Sequence, residues 1–99
     1  MTIQENRQDD ALTVRLEGRL DTTTAPDLEA LLKRHLPTLK ELTVDIENLD
    51  YLSSAGLRVL LFAQSGIQAN GGTMVVCHPN ELVQEVFDVT GFGDLLDIR

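Results

Sequence analysis

At 99 residues the chain has room for one two-layer core and excludes a core plus an independent second module. It is 42% hydrophobic and 24% charged, an ordinary soluble globular composition, and its 16 acidic against 8 basic side chains leave a net charge of −8. A field of that sign repels phosphate backbones, which argues against direct nucleic-acid binding and favours a partner with a basic face.

From Thr2 to Arg7 the residues predict a first strand, and Gln8-Asp9-Asp10 a hairpin turn. The run from Ala11 to Gly18 alternates: Leu12, Val14 and Leu16 fall on one face and Thr13, Arg15 and Glu17 on the other, as in a strand with one wet side. Gly18 is expected to end it. Thr23 or Thr24 is a candidate helix cap before Ala25, and Pro26 suits a first turn, where its missing N–H would be unpaired anyway. A helix from Ala25 to Leu36 follows, with Leu28, Leu31, Leu32 and Leu36 as its apolar stripe. Asp27 and Glu29 at its start and Lys33, Arg34 and His35 at its end complement the helix dipole. His35 reads as a surface residue, and Pro37 marks the exit.

A third strand is expected over Glu41 to Ile46, with Glu47-Asn48-Leu49-Asp50 as a polar turn. Tyr51 and Leu52 then return the chain to the core, the tyrosine hydroxyl at its rim. Leu57, Leu60, Leu61 and Ile67 recur at near-helical spacing, so a second helix starts at Ser53 or Ser54, either of which can cap it, and runs to Ala69. Asn70-Gly71-Gly72 accepts positive φ and stops that helix before a fourth strand, Thr73 to Cys77. Cys77 reads as a core or near-core thiol. His78-Pro79-Asn80 is a connector whose Asn80 caps a third helix, Glu81 to Thr90, with the stripe Leu82, Val83, Val86 and Phe87 and a closing Gly91. The tail, Phe92 to Arg99, suits a short final strand. Phe62, Phe87 and Phe92 read as packing residues.

A helix joining the third and fourth strands implies a crossover and a parallel pair, while the front of the sheet opens with a hairpin. The expected class is therefore α/β: one domain over residues 1–99, built on a mixed four- to five-stranded β-sheet with α-helices packed mainly on one face.

Little in the chain points to catalysis. It has neither a Gly-X-X-X-X-Gly-Lys-Ser/Thr phosphate loop nor a Gly-X-Gly-X-X-Gly, and His35 and His78 lie far in sequence from the serine pair. No Cys or His cluster stands at metal-ligand spacing, so no metal, cofactor or catalytic residue is predicted, and the chain reads as a non-enzyme. The lone Cys77 cannot form an internal disulfide; there is no signal segment and no stretch near the roughly 20 apolar residues that span a bilayer. A cytoplasmic protein without membrane attachment is expected. What remains is the start of the second helix, where unpaired N–H groups and the positive dipole end favour an oxygen anion such as phosphate.

The segment Leu49 to Leu61 resembles the signature of STAS domains, and in particular of bacterial anti-sigma factor antagonists, in which Asp-Ser-X-Gly-Leu opens the second helix. Ser54 falls on the family's phosphorylatable serine and Gly56-Leu57 on its Gly-Leu, while Ser53 stands where the family has Asp. Gly18-Arg19-Leu20-Asp21 and the Asn70-Gly71-Gly72 turn extend the likeness over nearly the whole chain. The resemblance implies a binding module that sequesters an anti-sigma factor which is also a serine kinase of GHKL type, and so frees a sigma factor. Phosphorylation of Ser54 by that kinase would inactivate it, and a serine/threonine phosphatase of the metal-dependent class would restore it. The implied partner surface is Asp21, Thr22, Thr23, Ser53, Ser54, Gly56, Leu57 and Arg58, with Arg58 one turn beyond Ser54 and able to pair with a phosphoserine. The alternative is a non-catalytic STAS subunit of another complex, such as a lipid ABC transporter.

Overall fold

A computed structural model describes Met1–Arg99. Strands β1 (Thr2–Gln8) and β2 (Ala11–Leu20) form an antiparallel hairpin closed at Gln8↔Ala11, with Asp9 at φ 54 in the turn. Helix α1 (Ala25–His35) and a 3₁₀ turn (Leu36–Thr38) carry the chain back to β3 (Glu41–Leu52), which lies parallel to β2. Helix α2 (Ser54–Ala69) then crosses to β4 (Thr73–Cys77), parallel to β3, and α3 (Glu81–Thr90) follows. The sheet order is β1-β2-β3-β4, so the expected mixed sheet is present with one antiparallel and two parallel neighbours.

Alternation decides which face is dry. Leu12, Val14, Leu16 and Leu20 of β2, Leu42, Val44 and Ile46 of β3, and Met74 and Val76 of β4 are all buried, and they meet Leu28 and Leu32 of α1, Leu57, Leu60, Ala63 and Ile67 of α2, and Val83 and Phe87 of α3. These belong to one cluster of 25 apolar residues with no buried polar or charged residue among them. The opposite face, carrying Thr13, Arg15, Thr43, Asp45, Val75 and Cys77 in register, has no helix on it.

Three boundaries differ from expectation. Gly18, at φ +100, bends β2 instead of ending it, and pairing continues to Leu20↔Leu52. The segment Glu47-Asn48-Leu49-Asp50 is strand and not turn: register shifts opposite Arg15/Glu17 and Gly18/Arg19 each give β3 an extra residue, so Ile46, Leu49 and Leu52 face inward at a spacing of three. The tail forms no fifth strand. A 3₁₀ turn (Phe92–Asp94) leads to one parallel bridge, Val76↔Ile98, in which the Val76 N–H donates to Asp97 O at 2.8 Å and Arg99 N–H to Val76 O at 2.7 Å.

Other differences concern side chains. His35 is not a free surface residue: only 17% of its side chain is exposed, and its Nδ1 accepts from Arg7 Nη1 at 3.0 Å. Arg7 also donates to Thr38 Oγ1 at 2.8 Å and to the carbonyls of His35 and Thr38, so the inward polar face of β1 closes the C-terminal end of α1. Leu82, assigned to the stripe of α3, is 64% exposed, and Tyr51 is 40% exposed instead of core. The Arg19 guanidinium lies 4.2 Å from the centre of the Tyr51 ring, a cation–π contact that explains an aromatic standing outside the core.

Candidate functional site at the start of the second helix

Strands β2 and β3 run parallel and end together, Leu20 against Leu52, so the loops that leave them share one edge of the sheet. The Ser53 N–H donates to Leu20 O at 2.9 Å, tying the two exits to each other. This is the carboxyl edge of a parallel pair, where binding sites gather in open α/β sheets.

The two serines divide the work at that edge. Ser53, with extended backbone at φ −95 and ψ 173, is the cap: its Oγ accepts from the Gly56 N–H at 3.3 Å and its carbonyl from the Leu57 N–H at 3.0 Å. Ser54 is the first helical residue, exposed, and its hydroxyl makes no hydrogen bond. Helix geometry leaves the Ser54 and Ala55 amides without intrahelical partners, so two donors and an unengaged hydroxyl face outward together. No acidic residue stands in the first turn, and Arg58, exposed and free of any ion pair, follows Ser54 by one turn.

Gly56 and Leu57, assigned to a partner surface, are buried, Leu57 to 2% exposure. In this structure they seat the helix against the sheet and contribute little to the exposed surface of the edge. A Cβ added to Gly56 would lie 2.7 Å from Leu20 Cγ and 2.8 Å from Leu52 Cδ1, so this turn presses directly on the ends of β2 and β3. Leu57 anchors it in the core.

Across the edge lies the β2–α1 loop, ordered by one carboxylate. Asp21 Oδ1 accepts from the Thr23 N–H at 3.0 Å, the Thr23 hydroxyl at 2.8 Å and the Thr24 N–H at 3.2 Å. The Thr23 hydroxyl, more than any other contact, holds the Asp21 carboxyl below its ordinary value; desolvation, the next largest influence, opposes it, and the Thr23 and Thr24 amides and the Thr24 hydroxyl add to the lowering. Thr24 occupies the N-cap position of α1, but its side chain caps nothing and donates back to Arg19 O at 2.8 Å. Neither threonine hydroxyl is thus the predicted cap; Asp21 takes the loop amides instead. Arg19 Nε, 3.6 Å from Asp21 Oδ2, joins the loop to Tyr51.

Thr22 and Thr23 are exposed on this loop, and Thr22, Pro26, Glu29, Arg58 and Phe62 line a cleft of about 390 Å³ between α1 and α2. The structure therefore brings Asp21, Thr22 and Thr23 to the same edge as Ser53, Ser54 and Arg58. Arg19, Tyr51 and Glu29 also border that edge and are not among the predicted site residues. The only signal for the Arg19–Tyr51 contact is their pairing in register, which requires knowing the bulges in β3. On the far side of Tyr51, an apolar groove of about 500 Å³ runs between the end of β3 and α3, lined by Leu52, Leu82, Val86 and Val89 among others.

A family model described as "Mlab, STAS domain" matches residues 3–97. The chain belongs to the STAS domain family. The resemblance carried by Leu49 to Leu61 is thereby borne out. Two curated relatives are similar to this STAS domain over most of their length. A Bordetella bronchiseptica protein, provisionally named the anti-sigma factor antagonist BtrV, is 33% identical over 99 residues, covering 99% of this chain and 85% of that protein. The anti-sigma-B factor antagonist of Staphylococcus epidermidis is 28% identical over 103 residues, covering 100% of this chain and 93% of that protein. Among solved structures, the anti-sigma factor antagonist SpoIIAA in its unphosphorylated form superposes with a TM-score of 0.87 at 20% identity, over 99% of this chain and 88% of that one. The phosphorylated form of the Bacillus protein gives 0.79 at 19% identity, over 99% and 91%. The STAS fold, α/β with a four-stranded mixed sheet and three helices, is common to them. No helix of this STAS domain is long and apolar enough to cross a membrane.

Proposed function

We propose that this STAS domain is a cytoplasmic, non-catalytic anti-sigma factor antagonist that binds an anti-sigma factor through the edge shared by the β2–α1 loop and the start of α2, and that phosphorylation of Ser54 releases it. The observation that carries the reading is the division between the two serines. Because Ser53 alone caps α2, Ser54 can accept a phosphoryl group without loss of the cap. The kinship with named anti-sigma factor antagonists, and with a fold solved both with and without phosphate, supports it.

In this reading the partner is a GHKL-type serine kinase that binds ATP and uses it as the phosphoryl donor. The Ser54 oxygen attacks the γ-phosphorus, its proton passes to a base on the kinase, the bond from the γ-phosphorus to the bridging oxygen breaks, and ADP leaves. The product carries about −1.5 to −2 charge and three acceptor oxygens. The free Ser54 and Ala55 amides and the helix dipole stabilise that charge locally, and Arg58 is within pairing range on the same face. The domain stays folded, and release comes from charge and bulk placed in the interface of a chain already at −8. A phosphatase of the metal-dependent serine/threonine class reverses the step by hydrolysis.

Ser53 favours keeping a second reading. Where the family motif carries a carboxylate this chain has only a capping hydroxyl, a helix end that also suits an unmodified STAS subunit of a lipid ABC transporter. Pull-downs from the native bacterium with wild type, Ser54→Ala and Ser54→Asp as baits, with mass spectrometry of partners and bait phosphosites, separate the two. Capture of a GHKL-type kinase by wild type and Ser54→Ala but not by Ser54→Asp, with phosphate on Ser54, is the expected result. Capture of transporter components by all three baits, without phosphate, overturns the first reading.

A further inference from the structure

We propose that Asp45, Cys77 and His78 form a binding site for a divalent cation of the zinc class on the helix-free face of the sheet. Strand register builds it: Asp45 and Cys77 are Cα partners across the parallel β3–β4 pair, and both side chains point away from the helices. His78 follows at the end of β4 with φ 62, a left-handed conformation uncommon outside glycine but one that His, like Asn and Asp, visits more often than other residues. That turn brings its Nδ1 to 3.3 Å from Asp45 Oδ1. One carboxylate oxygen, one sulfur and one imidazole nitrogen thus lie within 4.8 Å of one another. They are the three donor types that zinc accepts, and the side chains close further onto the ion to reach metal–ligand bonds of about 2.0–2.3 Å.

The surroundings suit an open, three-ligand site. The carboxylate is already oriented, its Oδ2 3.7 Å from Arg15 Nε and its Oδ1 accepting the Glu47 N–H at 3.1 Å, as outer partners orient metal ligands elsewhere. With Arg15 on Oδ2 and the Glu47 N–H on one lone pair of Oδ1, the second lone pair of Oδ1 remains for the metal. Cys77 is half-buried and the His78 side chain 60% exposed, so the histidine can swing and solvent can complete a fourth position. On binding, the Cys77 thiol gives its proton to solvent, His78 binds as the neutral imidazole with its proton on Nε2 instead of Nδ1, and the metal takes the sulfur and nitrogen electron pairs, with no change of oxidation state. Neither the histidine nor the cysteine belongs to the Ser54 edge, so the site is independent of the proposed switch.

The test uses the tag-free chain, Zn²⁺ titrated against a chromogenic chelator, and Co²⁺ as the spectroscopic probe. One equivalent of metal is expected, with a near-ultraviolet thiolate-to-cobalt band. Cys77→Ser abolishes that band and weakens Zn²⁺ at least tenfold. His78→Asn, chosen because Asn tolerates the left-handed backbone, weakens it at least tenfold on an exposed side chain where folding is not at stake. His35→Ala leaves binding unchanged. Absence of binding at millimolar Zn²⁺, or full binding by both the Cys77 and His78 variants, overturns the proposal.

Discussion

Replacing each serine in turn by alanine separates a capping hydroxyl from an unengaged one. Ser53→Ala removes the acceptor for the Gly56 N–H, which sits under a turn that is already buried against Leu20 and Leu52. Loss of a serine cap costs about 0.5–2 kcal/mol. The 3.3 Å separation is long for an N–H···O bond, which puts this cap in the lower half of that span, about 0.5–1 kcal/mol. Ser54→Ala removes no hydrogen bond and substitutes a better helix former, so its effect lies between zero and a gain of a few tenths of a kcal/mol. In a domain of this size 1 kcal/mol moves Tm by about 4–8 °C, so the two variants melt apart by several degrees. Urea unfolding followed by circular dichroism, with equal m-values for all three proteins, is the assay. A Ser54→Ala loss equal to or larger than that of Ser53→Ala refutes the assignment of roles.

Gly56→Ala tests how tightly α2 presses on the sheet: the clash with Leu20 and Leu52 outweighs the gain in helix propensity and destabilises by about 1–3 kcal/mol in the same urea assay, and a stabilised variant contradicts the packing. Asp21 gives a pH dependence whose sign follows from its lowered folded value. Its contribution is present above the unfolded carboxylate value and is lost as pH falls through the lower folded one, so the side-chain carboxyl ¹³C resonance titrates below an ordinary aspartate, and a midpoint at or above the ordinary value contradicts the hydrogen bonds to Thr23 and Thr24. Arg58→Ala leaves the unphosphorylated protein within about 0.5 kcal/mol of wild type, since it makes no ion pair there, but removes stability from the protein phosphorylated on Ser54; equal melting shifts on phosphorylation in both proteins exclude the pairing.

The parts of the fold that local chemistry dictates were legible in the residues. The alternation of Leu12, Val14 and Leu16 defines β2 and its dry face; Ser53, Asn80 and the left-handed Gly91 mark helix ends because a cap or a positive φ admits few residue types. The second half of β3 is not legible in the sequence because each bulge shifts the two-residue period by one, and a strand whose inward residues stand three apart has no period-two signature. Which serine caps was undecidable in sequence, as both hydroxyls qualify and only the extended backbone of Ser53 separates them. Asp21, Thr22, Thr23, Ser53, Ser54 and Arg58 meet at one edge, whereas Gly56 and Leu57 are buried beneath it, a burial that the motif in sequence does not reveal. The convergence of Asp45, Cys77 and His78 depends on β3–β4 register, a long-range pairing that ligand spacing along the chain does not encode.

The proposed switch is tested most directly by the affinity of the purified domain for the anti-sigma factor that it captures, measured by calorimetry for wild type, Ser54→Ala, Ser54→Asp and the protein phosphorylated on Ser54. Wild type and Ser54→Ala are expected to bind within threefold of each other, with the phosphorylated protein and Ser54→Asp weaker by at least tenfold, about 1.4 kcal/mol. Equal affinity of the phosphorylated and unmodified proteins would contradict Ser54 as the residue that controls release.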